Sequence, residues 1–129
     1  LEWLRDHQSG DGSWATEGFV ERCEREGRSG RCTGVGVRGF DTGNTGLALL
    51  AFLGAGHTHL PGPFRTTVKK GLQWLISIQD EGGCFGPREG PFLYNHAIAT
   101  LALVEAYGLT ATYLLKGPAQ RGVDFLLGA

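Results

Sequence analysis

The histidines and cysteines of this chain are the residues whose types suit metal binding or redox chemistry. His57 and His59 stand two apart beside prolines, and they could bind a metal ion together with Cys23 and Cys32. The simpler interpretation is that both imidazoles are solvated. A disulfide between Cys23 and Cys32 would close a short loop in an oxidising compartment. The odd number of cysteines, with Cys84 as the third, does not fix that compartment.

Asp41, Asn95 and His96 fall at the predicted starts of two apolar helices. Asp41 or Thr42 is expected to be the N-cap of the first helix and Asn95 that of the second, which places His96 in a first turn. An acid–base pair of His96 with Glu105 is excluded, because the two residues are nine positions apart, about two and a half turns of a helix.

The composition excludes several classes of function. A formal net charge of -1 gives no electrostatic basis for binding nucleic acid or an anionic membrane. The longest apolar run, Leu47–Leu53, is far too short for a transmembrane segment. Gly34, Gly36 and Gly39 have the spacing of a dinucleotide-binding loop, but no predicted strand precedes them.

Two sequence patterns repeat along the chain. They define the helices on which the candidate histidine, cysteine and aspartate residues lie or to which they are adjacent. Four residues recur 71 positions later with related types: Trp3, Gln8, Gly12 and Trp14 match Trp74, Gln79, Gly83 and Phe85. Part of the same pattern recurs 51 positions further on, where Lys70, Gly71, Trp74 and Leu75 match Arg121, Gly122, Phe125 and Leu126. A second pattern, Leu47-Ala48-Leu49 with Gly54, recurs 54 positions later as Leu101-Ala102-Leu103 with Gly108.

Hydrophobic periodicity predicts an all-α chain with alternating helix types. One type is amphipathic, which we name outer, and the other is apolar on every side, which we name inner. The order outer, inner, outer, inner, outer is predicted over residues 1–8, 42–54, 64–80, 94–108 and 117–128, with Gly117-Pro118 opening the last helix. Residues 9–40 form an unusually long Gly-, Arg- and Glu-rich connection, and such loops are functional or disordered. We interpret 1–129 as a single partial repeat domain.

The segment KGLQWLISIQDEGGCF at 70–85 resembles the QW repeat of the triterpene cyclases, whose superfamily includes the protein prenyltransferase β-subunits. Residues 3–14 and 121–126 give a second copy and the start of a third. The resemblance implies an α/α toroid, in which inner and outer helices form concentric rings. It also implies that the motif residues are structural, with each glutamine closing an outer helix and bonding backbone at the next helix start. These residues are Trp3, Gln8, Trp14, Trp74, Gln79 and Phe85.

The catalytic motifs of those relatives are only partly present. The cyclases that start by protonation carry a DxDDTA motif at an inner-helix start, and here only Asp41 and Thr42 remain of it. Phe40 aligns with the proton-donating aspartate, so the first step has no acid. The prenyltransferases hold zinc with Asp-x-Cys and a histidine. Asp41 matches that aspartate, Gly43 replaces the cysteine and His96 lies near the histidine position. Asp41 and His96 are therefore the candidate catalytic and zinc-binding residues.

Three hypotheses follow. The first is a non-catalytic module, a scaffold or binding surface, in which Phe40, Phe52, Tyr94 and Tyr107 could line a cavity for an isoprenoid or another apolar ligand. The second is a piece of a terpene cyclase acting on a polyisoprenoid. The third is a zinc-dependent prenyltransferase relative, with Cys84 or Cys32 supplying the missing thiolate. We expect the partners to be further repeats of a parent protein or a second copy of the chain, because an incomplete ring exposes its inner helices.

Overall fold

A computed structural model describes residues 1–20 and 34–129 of the chain. The named helices in this part are α1 (Glu2–Asp6), α2 (Asp41–Gly54), α3 (Arg65–Ser77), α4 (Phe92–Thr110) and α5 (Tyr113–Gly128). The only β pairing among the described residues is one isolated bridge between Gln79 and Phe85. The predicted all-α class is confirmed. In the described ranges, no helix has both the length and the apolar character needed to span a bilayer. Cys23 and Cys32 lie outside the described residues.

The N-caps of the two inner helices differ from the prediction. Helix α2 begins at Asp41 with Phe40 at the N-cap position, and α4 begins at Phe92 with Pro91 there. Neither Asp41 nor Asn95 is an N-cap, so that prediction is wrong. Instead, Asn95 lies buried in α4 and its Nδ2 donates to the carbonyl of Gly39 at 2.6 Å. His96, the fifth residue of α4, is in the second turn rather than the first.

Helix α5 begins at Tyr113, before the Gly117-Pro118 pair that was predicted to open it. Pro118 therefore lies inside the helix, where it lacks an N–H and cannot donate to the carbonyl four residues earlier. The sharp turn from α4 is made at Ala111, which takes a left-handed conformation with φ 51°. The predicted start was wrong because proline is common in the first turn of a helix, whereas Pro118 lies in the second turn of α5.

The two inner helices pack most extensively against each other, while α3 packs on α2 and α5 on α4. Gly43 and Gly46 allow the close approach of α2 to α4. A Cβ on Gly46 would lie 2.9 Å from the Cγ2 atom of Ile98, closer than side chains pack. The core between the layers is apolar and includes Leu49, Phe52, Val68, Leu72, Leu75 and Leu103.

Candidate functional site

The two motif glutamines make the same pair of hydrogen bonds. Gln8 Nε2 donates to the carbonyls of Gly12 and Thr67, each at 2.9 Å. Gln79 Nε2 donates to the carbonyls of Gly83 and Pro118, each at 3.0 Å. The first partner closes the loop after the glutamine's own helix, and the second belongs to the next outer helix. We call each glutamine with its two carbonyl partners a glutamine clamp.

The partners of the clamps are themselves related by the sequence repeat. Gly12 and Gly83 are 71 apart, and Thr67 and Pro118 are 51 apart. Both glycines have positive φ, 101° at Gly12 and 92° at Gly83. A Cβ at Gly12 would collide with the carbonyl oxygen of Lys70, and one at Gly83 with that of Arg121. The glycine is therefore required by conformation and by contact, at both copies.

The aromatic residues that end the motif are buried against a glycine of the next outer helix. Trp14 and Phe85 are almost fully buried. A Cβ on Gly71 would lie 3.0 Å from the Trp14 ring, and one on Gly122 would lie 2.9 Å from the Phe85 ring. Trp14 also donates from Nε1 to the carbonyl of Leu4 at 2.7 Å.

Trp3 and Trp74 hold equivalent positions in α1 and α3 and are less enclosed. Trp3 stacks on His7 with ring centroids 3.9 Å apart, and Trp74 packs against the edge of the core.

His96 is fully buried beneath the second motif copy. Its Nδ1 accepts a hydrogen bond from the backbone N–H of Phe85 at 3.0 Å. Nδ1 must therefore be unprotonated, so Nε2 carries the proton and donates to the carbonyl of Gly122 at 3.0 Å. The ring stacks on that of Phe85, with centroids 5.5 Å apart, and meets that of Phe125 edge to face at 4.7 Å. Burial lowers the pKa of His96 below its ordinary value, which keeps the imidazole neutral.

Asp41 serves a different contact at the start of α2. Its Oδ1 accepts from the backbone N–H of Thr16 at 2.8 Å and from the Thr16 hydroxyl at 2.7 Å. Through these two hydrogen bonds, Asp41 links the start of α2 to the segment that follows the first motif copy. Within residues 1–20 and 34–129, no group of three or more His, Cys, Asp or Glu side chains is placed to hold a metal ion. The zinc hypothesis stays a prediction from the sequence.

Cys84, a predicted source of a thiolate, is buried beside Phe85. Its Sγ lies 3.9 Å from the Phe85 carbonyl oxygen. Burial, followed by the nearby charge of Asp80, raises the pKa of the Cys84 thiol. A neutral, enclosed thiol is a poor metal ligand and a poor nucleophile.

The four aromatic residues predicted to line an apolar cavity are dispersed. Phe52 is fully buried in the core, and Tyr107 packs against that core. Phe40 and Tyr94 meet edge to face with centroids 6.4 Å apart, and Tyr94 is exposed. Phe40 lines a cavity of about 610 Å³.

The other histidines pack against neighbouring side chains. The His57 ring meets that of Phe64 edge to face at 4.8 Å. His59 Nε2 lies 2.8 Å from the Thr112 hydroxyl, which links the start of α5 to the loop after α2. Burial, then the charges of Lys69 and Arg65, lower the pKa of His59.

Sequence reasoning missed Thr45 and Asn44 of α2. Thr45 Oγ1 accepts from the backbone N–H of Trp14 at 2.9 Å, and Asn44 Nδ2 donates to the Trp14 carbonyl at 2.8 Å. Thr45 thus does for Trp14 what His96 does for Phe85, and the two are 51 apart. The inner helices are equivalent at a shift of 51, not at the predicted 54. The match of Lys70 to Arg121 at 51 was the signal that could have found this register.

The 610 Å³ cavity is an open groove between α1 and α2. Its α1 wall is formed by Trp3 and Leu4 with His7 just after the helix, and its α2 wall by Asn44, Leu47, Ala48 and Ala51. Residues of the connecting segments line the rest: Trp14, Ala15, Thr16, Phe19, Gly36, Val37 and Phe40. Searches of family models, of curated proteins and of solved structures give no match to this chain.

Proposed function

We propose that this chain is a non-catalytic helical repeat module, similar to those of the squalene cyclase and prenyltransferase superfamily, that serves as a scaffold or binding surface. The observation that carries the proposal is the glutamine clamp, which occurs twice with partners in the same register. A side chain that satisfies two carbonyls of adjacent outer helices joins one repeat to the next. This role accounts for the QW residues without any ligand.

The candidate catalytic residues support the same proposal because their polar atoms are engaged in the framework. His96 uses the lone pair of Nδ1 for Phe85 and the proton of Nε2 for Gly122. A zinc ion at either nitrogen would displace a buried backbone group from its partner, at a cost of about 1–3 kcal/mol. The carboxylate of Asp41 is engaged by Thr16. Phe40 cannot donate a proton.

Zinc content tests the proposal against the prenyltransferase hypothesis. The protein is purified without chelator and analysed by elemental mass spectrometry, with Asp41→Ala and His96→Ala as variants. We expect a substoichiometric zinc content that is equal in the three proteins. One zinc per chain in the wild type, lost in both variants, would contradict the scaffold proposal. Leu114→Ala, an exposed position on α5, is the matched control.

A further inference from the structure

We propose that the groove between α1 and α2 is the docking site for one further helix, an apolar helix with small residues at positions i and i+3. The partner is a polypeptide segment whose binding surface resembles the face of α2 that packs on α4. This inference rests on the repeat architecture of the proposed function and names the kind of partner that the scaffold binds.

The α2 wall of the groove repeats a surface that is already covered elsewhere in the chain. At the shift of 51, Asn44, Leu47, Ala48 and Ala51 correspond to Asn95, Ile98, Ala99 and Ala102 on α4. The types are nearly unchanged, and Ala48 and Ala99 are both buried, but the burial of the other three pairs differs. On α4, Asn95 and Ala102 are buried beneath α2. On α2, Ala51 is exposed and Leu47 is 49% exposed. The wall on α2 therefore has the residue types of a helix-binding surface, and no helix of the described residues packs on it, although Phe19, Val37 and Phe40 line the same groove.

The α1 wall repeats the other side of the same arrangement. Trp3 and Leu4 correspond at the shift of 71 to Trp74 and Leu75 on α3. Leu75 is fully buried in the core that α3 forms with α2, and Trp74 packs against that core. In contrast, Trp3 is 49% exposed. The walls of the groove on α1 and α2 thus correspond to the surfaces of α3 and α4. In the next repeat, the inner helix α2 packs against those two surfaces.

The surface of α2 defines what the occupant must look like. Gly43 and Gly46 of α2 face Asn95, Ile98 and Ala99 of α4. A Cβ on Gly43 would lie 2.5 Å from the Oδ1 atom of Asn95. A helix seated on the nearly identical surface of α2 must be equally small at two positions three apart. Larger side chains there would hold the helices apart and leave the groove unfilled.

Fluorescence anisotropy with a labelled peptide tests this docking site on the full chain. The peptide carries residues 39–56 with a lysine tail for solubility, because α2 supplies the required surface. We expect saturable binding to the wild-type protein. A peptide with Gly43→Leu and Gly46→Leu should bind at least about tenfold more weakly. Ala51→Arg in the protein should weaken binding of the first peptide to a similar extent.

The matched control is Leu114→Arg, which places the same charge on an exposed residue of α5 outside the groove. It should bind the peptide as the wild type does, and circular dichroism should show equal helicity in all proteins. Three results would each overturn the proposal: no binding at about 1 mM peptide, equal binding of both peptides, or full binding to Ala51→Arg. The zinc measurement does not depend on peptide binding. Failure of the docking site and failure of the scaffold proposal can therefore be told apart.

Discussion

His96 of α4 and Thr45 of α2 do the same work one repeat apart: each accepts a hydrogen bond from the backbone N–H of the aromatic residue that ends a motif copy. The distances are 3.0 Å from Phe85 and 2.9 Å from Trp14. One acceptor is an imidazole and the other a hydroxyl, so what the position requires is an acceptor rather than a histidine. This equivalence explains why His96 is buried, neutral and fully bonded.

The first prediction concerns the pH dependence of stability. Burial lowers the pKa of His96 below its ordinary 6.5, so the unfolded chain takes up this proton more readily than the folded chain. The contribution of His96 to the free energy of unfolding is therefore intact above about pH 6.5 and is lost as the pH falls below it, by up to about 1.4 kcal/mol per unit. Urea unfolding from pH 8 to 5 measures this loss.

The control for that prediction is His96→Thr, which places the acceptor of the first repeat in the second. His59, whose pKa is lowered in the same direction, is present in both proteins and cancels in the comparison. The variant should lose less stability than the wild type between pH 6.5 and 5. Parallel profiles would contradict the prediction, because they would mean that the folded and unfolded chains take up the His96 proton equally. His96→Ala should be less stable than His96→Thr at pH 8 by about 1 kcal/mol, because the Phe85 N–H loses its acceptor.

The second prediction concerns the glutamine clamps. Gln79→Ala leaves the carbonyls of Gly83 and Pro118 without this donor and should lower the free energy of unfolding by about 1–3 kcal/mol. Gln8→Ala should have an effect of the same size at the other copy. Gln73→Ala, at an exposed position of α3, should change stability by less than about 0.5 kcal/mol. If Gln79→Ala behaves like Gln73→Ala in chemical denaturation, the clamp does not join the repeats.

The third prediction separates two costs at a motif glycine. Gly83→Ala imposes a left-handed conformation on an alanine and also drives its Cβ into the carbonyl of Arg121. Gly90 has φ 54°, and a Cβ there meets no described atom within 4 Å, so Gly90→Ala carries the conformational cost alone. We expect about 1–2 kcal/mol for Gly90→Ala and a clearly larger loss for Gly83→Ala. Equal losses in thermal unfolding would argue against the close contact with α5.

The fourth prediction concerns self-association through the inner helices. Tyr94, Leu101 and Val104 form an exposed apolar stripe on α4, and Tyr94 is 56% exposed. Burial of such a stripe favours association, so light scattering should detect a dimer or a larger oligomer at high concentration. Leu101→Glu should weaken the association, whereas Leu114→Glu on α5 should leave it unchanged. A monomeric wild type at high concentration would contradict this prediction.

The outer helices were predictable because they are amphipathic, and the inner helices because they are apolar on every side. The two glutamines of the repeated pattern are the residues that form the clamps. The register between the two inner helices was not predictable from hydropathy, because α2 is apolar on every side. The shifts of 51 and 54 differ by three residues, which turn a helix by about 300°, so the two alignments differ by only about 60° around the helix axis. Pro118 gave a false start for α5, since the same residue is tolerated inside a helix whose other bonds are kept. The role of His96 depends on Phe85 and Gly122, which only the folded chain brings to its two nitrogens.

The framework role of His96 is tested most directly by a long-range ¹H–¹⁵N NMR spectrum of its ring, assigned with the His96→Thr variant. We predict a neutral ring at pH 7, protonated at Nε2 and unprotonated at Nδ1, with ¹⁵N shifts that stay unchanged when zinc is added. A ring protonated at Nδ1, or zinc-dependent shifts of either nitrogen, would contradict the claim that His96 joins α4 to the motif and would return it to the candidate metal ligands.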